Sequence, residues 1–325
     1  MPSSVGGGSY KFDVPETWAK LPKGWEIRDG AGISVDSKDR VYVFHRGEHP
    51  MLIFDREGNY LDSWGDGVFG RAHSVKVGPD GMLYCVDYGD HTVRKMTPDG
   101  EVLMTLGKVN QPSDTGATST DYRAIKRVGE PFNRPTDVAF GPSGEIIVSD
   151  GYGNARIHRF SKEGELLESW GGIGDGPGKF HLPHGIMIDR NNRLFVADRE
   201  NSRIQAFTLE GVYLGEWRDA NRPSALLLNG EGDVAVLEMG YTSDNMYPGN
   251  PIPRDRDPSP RMTIRSIDGK ILTEWGGKER CAPGGFHAPH MVAMDSRGDL
   301  YVAEVNFATK APPGCHVVQK FVRKH

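Results

Sequence analysis

The sequence predicts an all-β chain folded as a six-bladed β-propeller, on three observations. One four-strand unit recurs six times along 325 residues. Each copy alternates apolar and polar residues with period two, broken by Gly/Asp/Asn turns, which is the pattern of a small antiparallel sheet. Only two long insertions interrupt the repeat, so nearly the whole chain is committed to it. A single such sheet cannot bury both faces alone; six set radially, each against its neighbours, can.

The copies follow one another in order. Blade one, 30–66, runs from GISVDSKDRVYVFHRG to NYLDSWG. Blade two, 70–107, runs from HSVKVGPDGMLYCVDYGD to EVLMTLG. Blade three, 132–171, begins PTDVAFGPSGEIIVSDGYGNARI and ends LLESWG. Blade four, 180–217, is PHGIMIDRNNRLFVADRENSRIQAF through YLGEWR. Blade five, 221–277, is degenerate, from PSALLLNGEGDVAVLEMG to ILTEWGG. Blade six, 285–325, runs from PHMVAMDSRGDLYVAEV to VVQKFVRKH and stops early. Residues 1–29, around Tyr10 to Trp18, are therefore expected to close it. Within a blade, the start of strand one and the ends of strands two and four share a face. Turns on the opposite face are short, such as GPDG, GPSG, DRNN and SIDG. Both insertions, 108–131 and 240–260, fall on the first face, where loops on a rigid scaffold usually carry binding chemistry.

Composition narrows the partners. The 42 glycines and 22 prolines fall in turns, and a net charge of −5 with both signs interspersed argues against nucleic acid or a membrane surface. No apolar run approaches the roughly 18 residues of a membrane span. MPSSVGGGSYKF has neither the basic head nor the apolar core of a signal peptide. The chain reads as soluble, cytoplasmic and monomeric. Three cysteines, Cys85, Cys281 and Cys315, contain no CxxC pair, so no disulfide framework is expected; a single bridge between the last two stays open.

Two distant stretches, FHLPHGIMID from Phe180 and FHAPHMVAMD from Phe286, share a Phe-His-x-Pro-His opening that the fold alone does not require. Aligned on the turn that follows, the residues opening the six inner strands are Ala31, His73, Thr136, His184, Ser224 and His290. Histidine alternates with a small residue. Alternate blades lie about a third of a turn apart, so His73, His184 and His290 are placed to converge. Three neutral imidazoles with an open position describe a catalytic zinc site. A lone histidine would read as a satisfied core residue; three in strict alternation favour the metal. His181 and His287 point the other way on an extended chain and read as supporting residues.

The end of strand two borders the same rim. Asp87, Asp150 and Asp198 there read as turn-capping residues. The next position holds Arg46 in FHRG and Arg199 in VADRENSRI, in opposite blades, which suits an anionic ligand such as a carboxylate. Blade three carries Tyr152 in SDGYGNARI. A phenol close to a metal and a guanidinium gives up its proton more readily, which makes Tyr152 the candidate general base.

The units resemble NHL repeats. Beyond that, VFHRGEH, AHSV, PHGI, PHMV, SDGYGNARI and VADRENSRIQ resemble the motifs of the peptidyl-α-hydroxyglycine α-amidating lyases. The resemblance implies a six-bladed propeller with zinc on His73, His184 and His290, Tyr152 as base, and Arg46 and Arg199 near the substrate. It implies cleavage of the C–N bond of a carbinolamide to an amide and glyoxylate, on a small-molecule or peptide substrate bearing a carboxylate. Two features depart from the family. Secreted members place a cysteine after the tyrosine, where this chain has Gly153. The family's structural calcium uses two carbonyls, here at Ile33 and Val75, and an aspartate whose position is Met291; a thioether is a poor ligand for a hard cation, so Ca2+ is not expected there. The alternatives are a metal-dependent hydrolase or lactonase on the same site, and a non-catalytic NHL binding module.

Overall fold

A computed structural model describes residues 3–242, 246–255 and 257–324. The N-terminal hairpin is β1 (Ser3–Gly7) and β2 (Tyr10–Val14). Blade one is β3 (Gly30–Val35), β4 (Val41–His45), β5 (Met51–Phe54) and β6 (Tyr60–Trp64). Blade two is β7 (Ala72–Val77), β8 (Leu83–Asp87), β9 (Thr92–Met96) and β10 (Val102–Leu106). Blade three is β11 (Pro135–Phe140), β12 (Ile146–Asp150), β13 (Arg156–Phe160) and β14 (Leu166–Gly171). Blade four is β15 (Pro183–Ile188), β16 (Leu194–Asp198), β17 (Arg203–Phe207) and β18 (Tyr213–Trp217). Blade five is β19 (Pro223–Leu228), β20 (Val234–Glu238), β21 (Arg261–Arg265) and β22 (Ile271–Gly276). Blade six is β23 (Pro289–Met294), β24 (Leu300–Glu304) and β25 (Val318–Arg323). These antiparallel sheets are the blades of a six-bladed β-propeller. Among the described residues the only helices are two single 3-10 turns, Tyr122–Ala124 and Arg199–Asn201.

Burial grades outward. The second strands, such as LYCVD, IIVSD and LFVAD, are buried at every position, as near-continuous apolar runs covered on both faces should be. Fourth strands such as β10 and β14 are largely exposed. Short turns join the strands on one face. Gly144, at φ +88°, closes the GPSG turn by donating its N–H to the Gly141 carbonyl.

The strands pack as two compact units. Residues 65–223 hold blades two to four, and buried Asp137 ties their inner strands together. Its carboxylate accepts from Ser74 Oγ at 2.5 Å and from the Ile186 amide at 3.1 Å, with Lys76 Nζ 3.6 Å away. This explains a PTD that the repeat carries without using it for chemistry. The second unit, 1–64 with 224–325, holds blades one, five and six. Here β2 pairs with β25 as the fourth strand of blade six, and β1 adds an edge strand. Aromatics pack the closing segment onto its neighbours: Phe12 lies 5.3 Å from Trp275 of blade five, and Trp18 lies 5.3 Å from Phe54 of blade one. Each such side chain, fully buried, stabilises by roughly 1.5–3 kcal/mol. Cys281 and Cys315 form a disulfide in this unit, while Cys85 is buried and reduced.

Candidate active site

The inner strands open on β-bulges. Register slips between Gly30 and Gly32, Ala72 and Ser74, Pro135 and Asp137, Pro183 and Ile186, and Pro289 and Met291. Ala31, His73, Thr136, His184 and His290 fall in those slips, at the aligned positions. A bulge takes its extra residue out of the ladder and re-aims its side chain. The histidines are thus not ordinary ladder residues.

In the 65–223 unit, His73 and His184 are fully buried with ring centroids 4.9 Å apart. Nδ1 of His73 donates to the Thr136 carbonyl at 2.5 Å. A carbonyl only accepts, so in the neutral ring the proton sits on Nδ1 and the lone pair on Nε2. The His184 carbonyl accepts from Ser149 Oγ at 2.6 Å, which fixes that backbone. The other unit repeats the device: Nδ1 of buried His290 donates to the Ala31 carbonyl at 2.6 Å. The acceptors are the small residues of the odd blades.

Tyr152 sits against this pair. Its Oη lies 3.5 Å from His184 Nε2 and accepts from a terminal nitrogen of Arg199 at 3.0 Å. Glycines flank it because nothing larger fits. A Cβ at Gly151 would lie 2.2 Å from the Pro183 carbonyl oxygen, and one at Gly153 would lie 2.2 Å from Asn133 Oδ1. Asn133 fills the space beside Gly153 in order to hold the 108–131 insertion, donating to the Ser113 carbonyl and to Thr115 Oγ1. The tip of that insertion lays Tyr122 on His181, 4.9 Å between centroids. In the 240–260 insertion, residues 243–245 and 256 lie outside the described set; its ends meet where the Tyr241 amide donates to the Pro258 carbonyl.

The structure thus brings His73, His184, Tyr152 and Arg199 together in one unit. Arg46 and His290 belong to the other, where Arg46 lies 3.6 Å from Asp29. Asp87, Asp150 and Asp198 accept from the amides of Gly70, Asn133 and His181, as turn caps. The His287 amide donates to Glu304, the same position in blade six. Ile33 and Val75 are buried on inner strands, and Met291 is buried in the same apolar cluster as Ile33.

Sequence reasoning missed three residues. Tyr88 stacks on Tyr152 at 5.3 Å and meets His73 edge-on at 5.5 Å. It occupies in blade two the position that holds Arg46 and Arg199, and that alignment was signal enough. Buried Glu200 forms ion pairs with both Arg199 and Arg222. The Asn-Arg-Pro shared by residues 133–135 and 221–223 marks Arg222.

Comparison with known proteins follows the same lines. The NHL repeat model matches residues 132–160 and 180–207. Mouse peptidyl-glycine alpha-amidating monooxygenase is 27% identical over 315 residues, 86% of this chain and 29% of that protein. Peptidyl-alpha-hydroxyglycine alpha-amidating lyase 1 of Drosophila melanogaster is 29% identical over 318 residues, 84% of this chain and 54% of that protein. Human NHL repeat-containing protein 3 is 27% identical over 96% of this chain and 84% of that protein. The chain spans only 29%, 30% and 33% of the mouse, rat and Xenopus laevis monooxygenases it matches. Among solved structures, a Xanthomonas campestris gluconolactonase shares the fold, with TM-score 0.63 at 12% identity, over 98% of this chain and 91% of that one. The chain is an NHL-repeat β-propeller that resembles the peptidyl-α-hydroxyglycine α-amidating lyases.

Proposed function

We propose that the protein is a zinc-dependent lyase that cleaves the C–N bond of an N-acyl-α-hydroxyglycine to an amide and glyoxylate. The observation that carries this reading is the Tyr152 hydroxyl set between His184 Nε2 and Arg199. His73, His184 and His290 are the three buried histidines that would hold the metal. The donor set fits: Nδ1–H bonds to main-chain carbonyls orient two of the rings and raise their basicity, as supporting bonds around zinc usually do. Bound there, zinc would supply Lewis acidity to the substrate hydroxyl.

The chain's own residues supply the rest. Acting as the base, Tyr152 takes the hydroxyl proton at Oη. The O–C pair closes to a carbonyl, the C–N pair leaves with the amide nitrogen, and that nitrogen takes back the proton from Tyr152 Oη, which restores the base. Arg199, already on Oη, stabilises the phenolate and, with Arg46, offers guanidinium to the substrate carboxylate. Glyoxylate release from an N-acyl-α-hydroxyglycine by zinc-loaded protein tests the reading. Ester or lactone turnover without glyoxylate would replace it with hydrolysis, and absence of stoichiometric metal from purified protein would leave a binding module.

A further inference from the structure

We infer that Glu200 is a positioning residue, which aims the Arg199 guanidinium at Tyr152 and is itself held by Arg222. The inference rests on the lyase reading for its consequence in turnover, but its geometry stands alone. Arg199 Nε donates to Glu200 Oε1 at 2.8 Å while a terminal nitrogen donates to Tyr152 Oη at 3.0 Å. Two edges of one planar group are thereby fixed, so the guanidinium cannot turn without breaking a bond. Glu200 in turn accepts from Arg222 at 2.8 Å and 3.2 Å. A continuous chain runs Arg222–Glu200–Arg199–Tyr152–His184, all within the 65–223 unit.

Burial makes this arrangement costly and therefore informative. The side chains of Arg199, Glu200 and Arg222 are 5%, 0% and 1% exposed. Each buried ion costs several kcal/mol of desolvation, which a close partner offsets only with good geometry. By contrast, buried Arg203 of blade four pairs with Asp198 and Glu216 and donates to the main-chain carbonyls of Asp175, Gly176 and Lys179, holding a turn together. The Glu200 chain ends instead on a phenol beside two histidines. The backbone agrees: the Arg199 and Glu200 amides donate to the Leu182 and His181 carbonyls, pinning the 3-10 turn to the strand that carries His184.

The test uses the full zinc-loaded chain with Glu200→Gln, Glu200→Asp and the double variant Glu200→Gln/Arg222→Met. The double variant removes both charges, so it answers even if the single one leaves an uncompensated cation and fails to fold. Zinc content serves as the control, and the ring Cζ NMR signal of Tyr152, assigned by its loss in Tyr152→Phe, reports whether Arg199 still sits on the phenol. The expected result is a moved Tyr152 signal in every variant that folds, with zinc retained and glyoxylate release lowered about a hundredfold, the scale on which small misplacements act. An unmoved signal overturns the inference. So does recovery of wild-type rate in the double variant, because Glu200 would then merely neutralise Arg222. If wild-type protein releases no glyoxylate, the lyase reading fails by itself and the Tyr152 signal still decides this one.

Discussion

Nδ1 of His73 donates to the Thr136 carbonyl 2.5 Å away, and that one bond decides which ring nitrogen is left to face a metal. His73 belongs to blade two and Thr136 holds the same position in blade three. His290 in blade six treats Ala31 in blade one the same way. The alternation in the sequence therefore has two halves. Even blades supply imidazoles, and for His73 and His290 the carbonyl of the small residue in the neighbouring odd blade sets the tautomer. A larger residue at Thr136 would displace the Pro183 carbonyl that its hydroxyl now contacts at 2.9 Å.

Metal content follows from this. His184→Ala should lower bound zinc well below one per chain while leaving the β-sheet circular dichroism intact, since fourth-blade packing rests on Phe180, Ile186 and Val196 and not on the ring. Elemental analysis after dialysis reads it; full occupancy in the variant would remove the histidines as ligands.

Gly153→Ala tests the space beside Tyr152. The added carbon would meet Asn133 Oδ1 and Cγ at 2.2 and 2.5 Å. Either Asn133 swings out, releasing the 108–131 insertion, or the Tyr152 backbone shifts. We expect a loss of roughly 1–3 kcal/mol, the usual cost of overpacking, seen in the urea midpoint, together with faster proteolysis between residues 108 and 131. A neutral midpoint would show that Asn133 has room to give.

How much of this was legible follows from what each feature depends on. Blades were legible because their strands obey a period that any six-fold copying repeats. Candidate ligands were legible because symmetry puts equivalent residues in register, as with His184 and His290. Tyr88 stood in that same register and was passed over for being neither charged nor preceded by glycine. Glu200 and Arg222 were not legible as a pair: they lie on different blades, and only packing reveals that two charges share one buried space. The bulges that re-aim the histidines leave no composition signal beyond a proline before two of them. Asp137, which the sequence marks only as a repeat feature, proves to bind three strands at once.

Glu304 sets a pH dependence of stability. Burial pushes its carboxyl up to about 7 from an ordinary 4.5, against the opposing amides of His287 and Ala288 and the side chain of Gln319. Between those values the folded chain binds more protons than the unfolded one. Its contribution is therefore full below pH 4.5 and is lost as pH rises through 7. Glu304→Gln should flatten the fall in urea midpoint across that window relative to wild type. Parallel curves would place the ionisation elsewhere.

The Cys281–Cys315 bridge closes 34 residues of sequence around blade six. Closing a loop of this kind typically stabilises by about 2–4 kcal/mol. Cys315→Ser should lower the denaturant midpoint accordingly, and a non-reduced digest should show the two cysteine peptides joined. Such bonds persist in oxidising compartments and are kept reduced in the cytosol, so the thiol-blocked state of protein taken directly from cells bears on the cytoplasmic expectation as well.

Tyr152 and Tyr88 separate chemistry from support. Both rings border His73, and the two stack on each other. The Tyr152 hydroxyl reaches Arg199 and His184. If that oxygen is the base, Tyr152→Phe should cost roughly 10²–10⁴ in kcat, the span of general-base catalysis, with zinc and KM little changed. Tyr88→Phe keeps the stack and should leave kcat within about twofold, whereas Tyr88→Leu removes an aromatic contact of roughly 0.5–1.5 kcal/mol and loosens Tyr152, so kcat should fall by an intermediate amount. Equal losses in the two phenylalanine variants would mean that neither hydroxyl is the base and that the rings only shape the pocket.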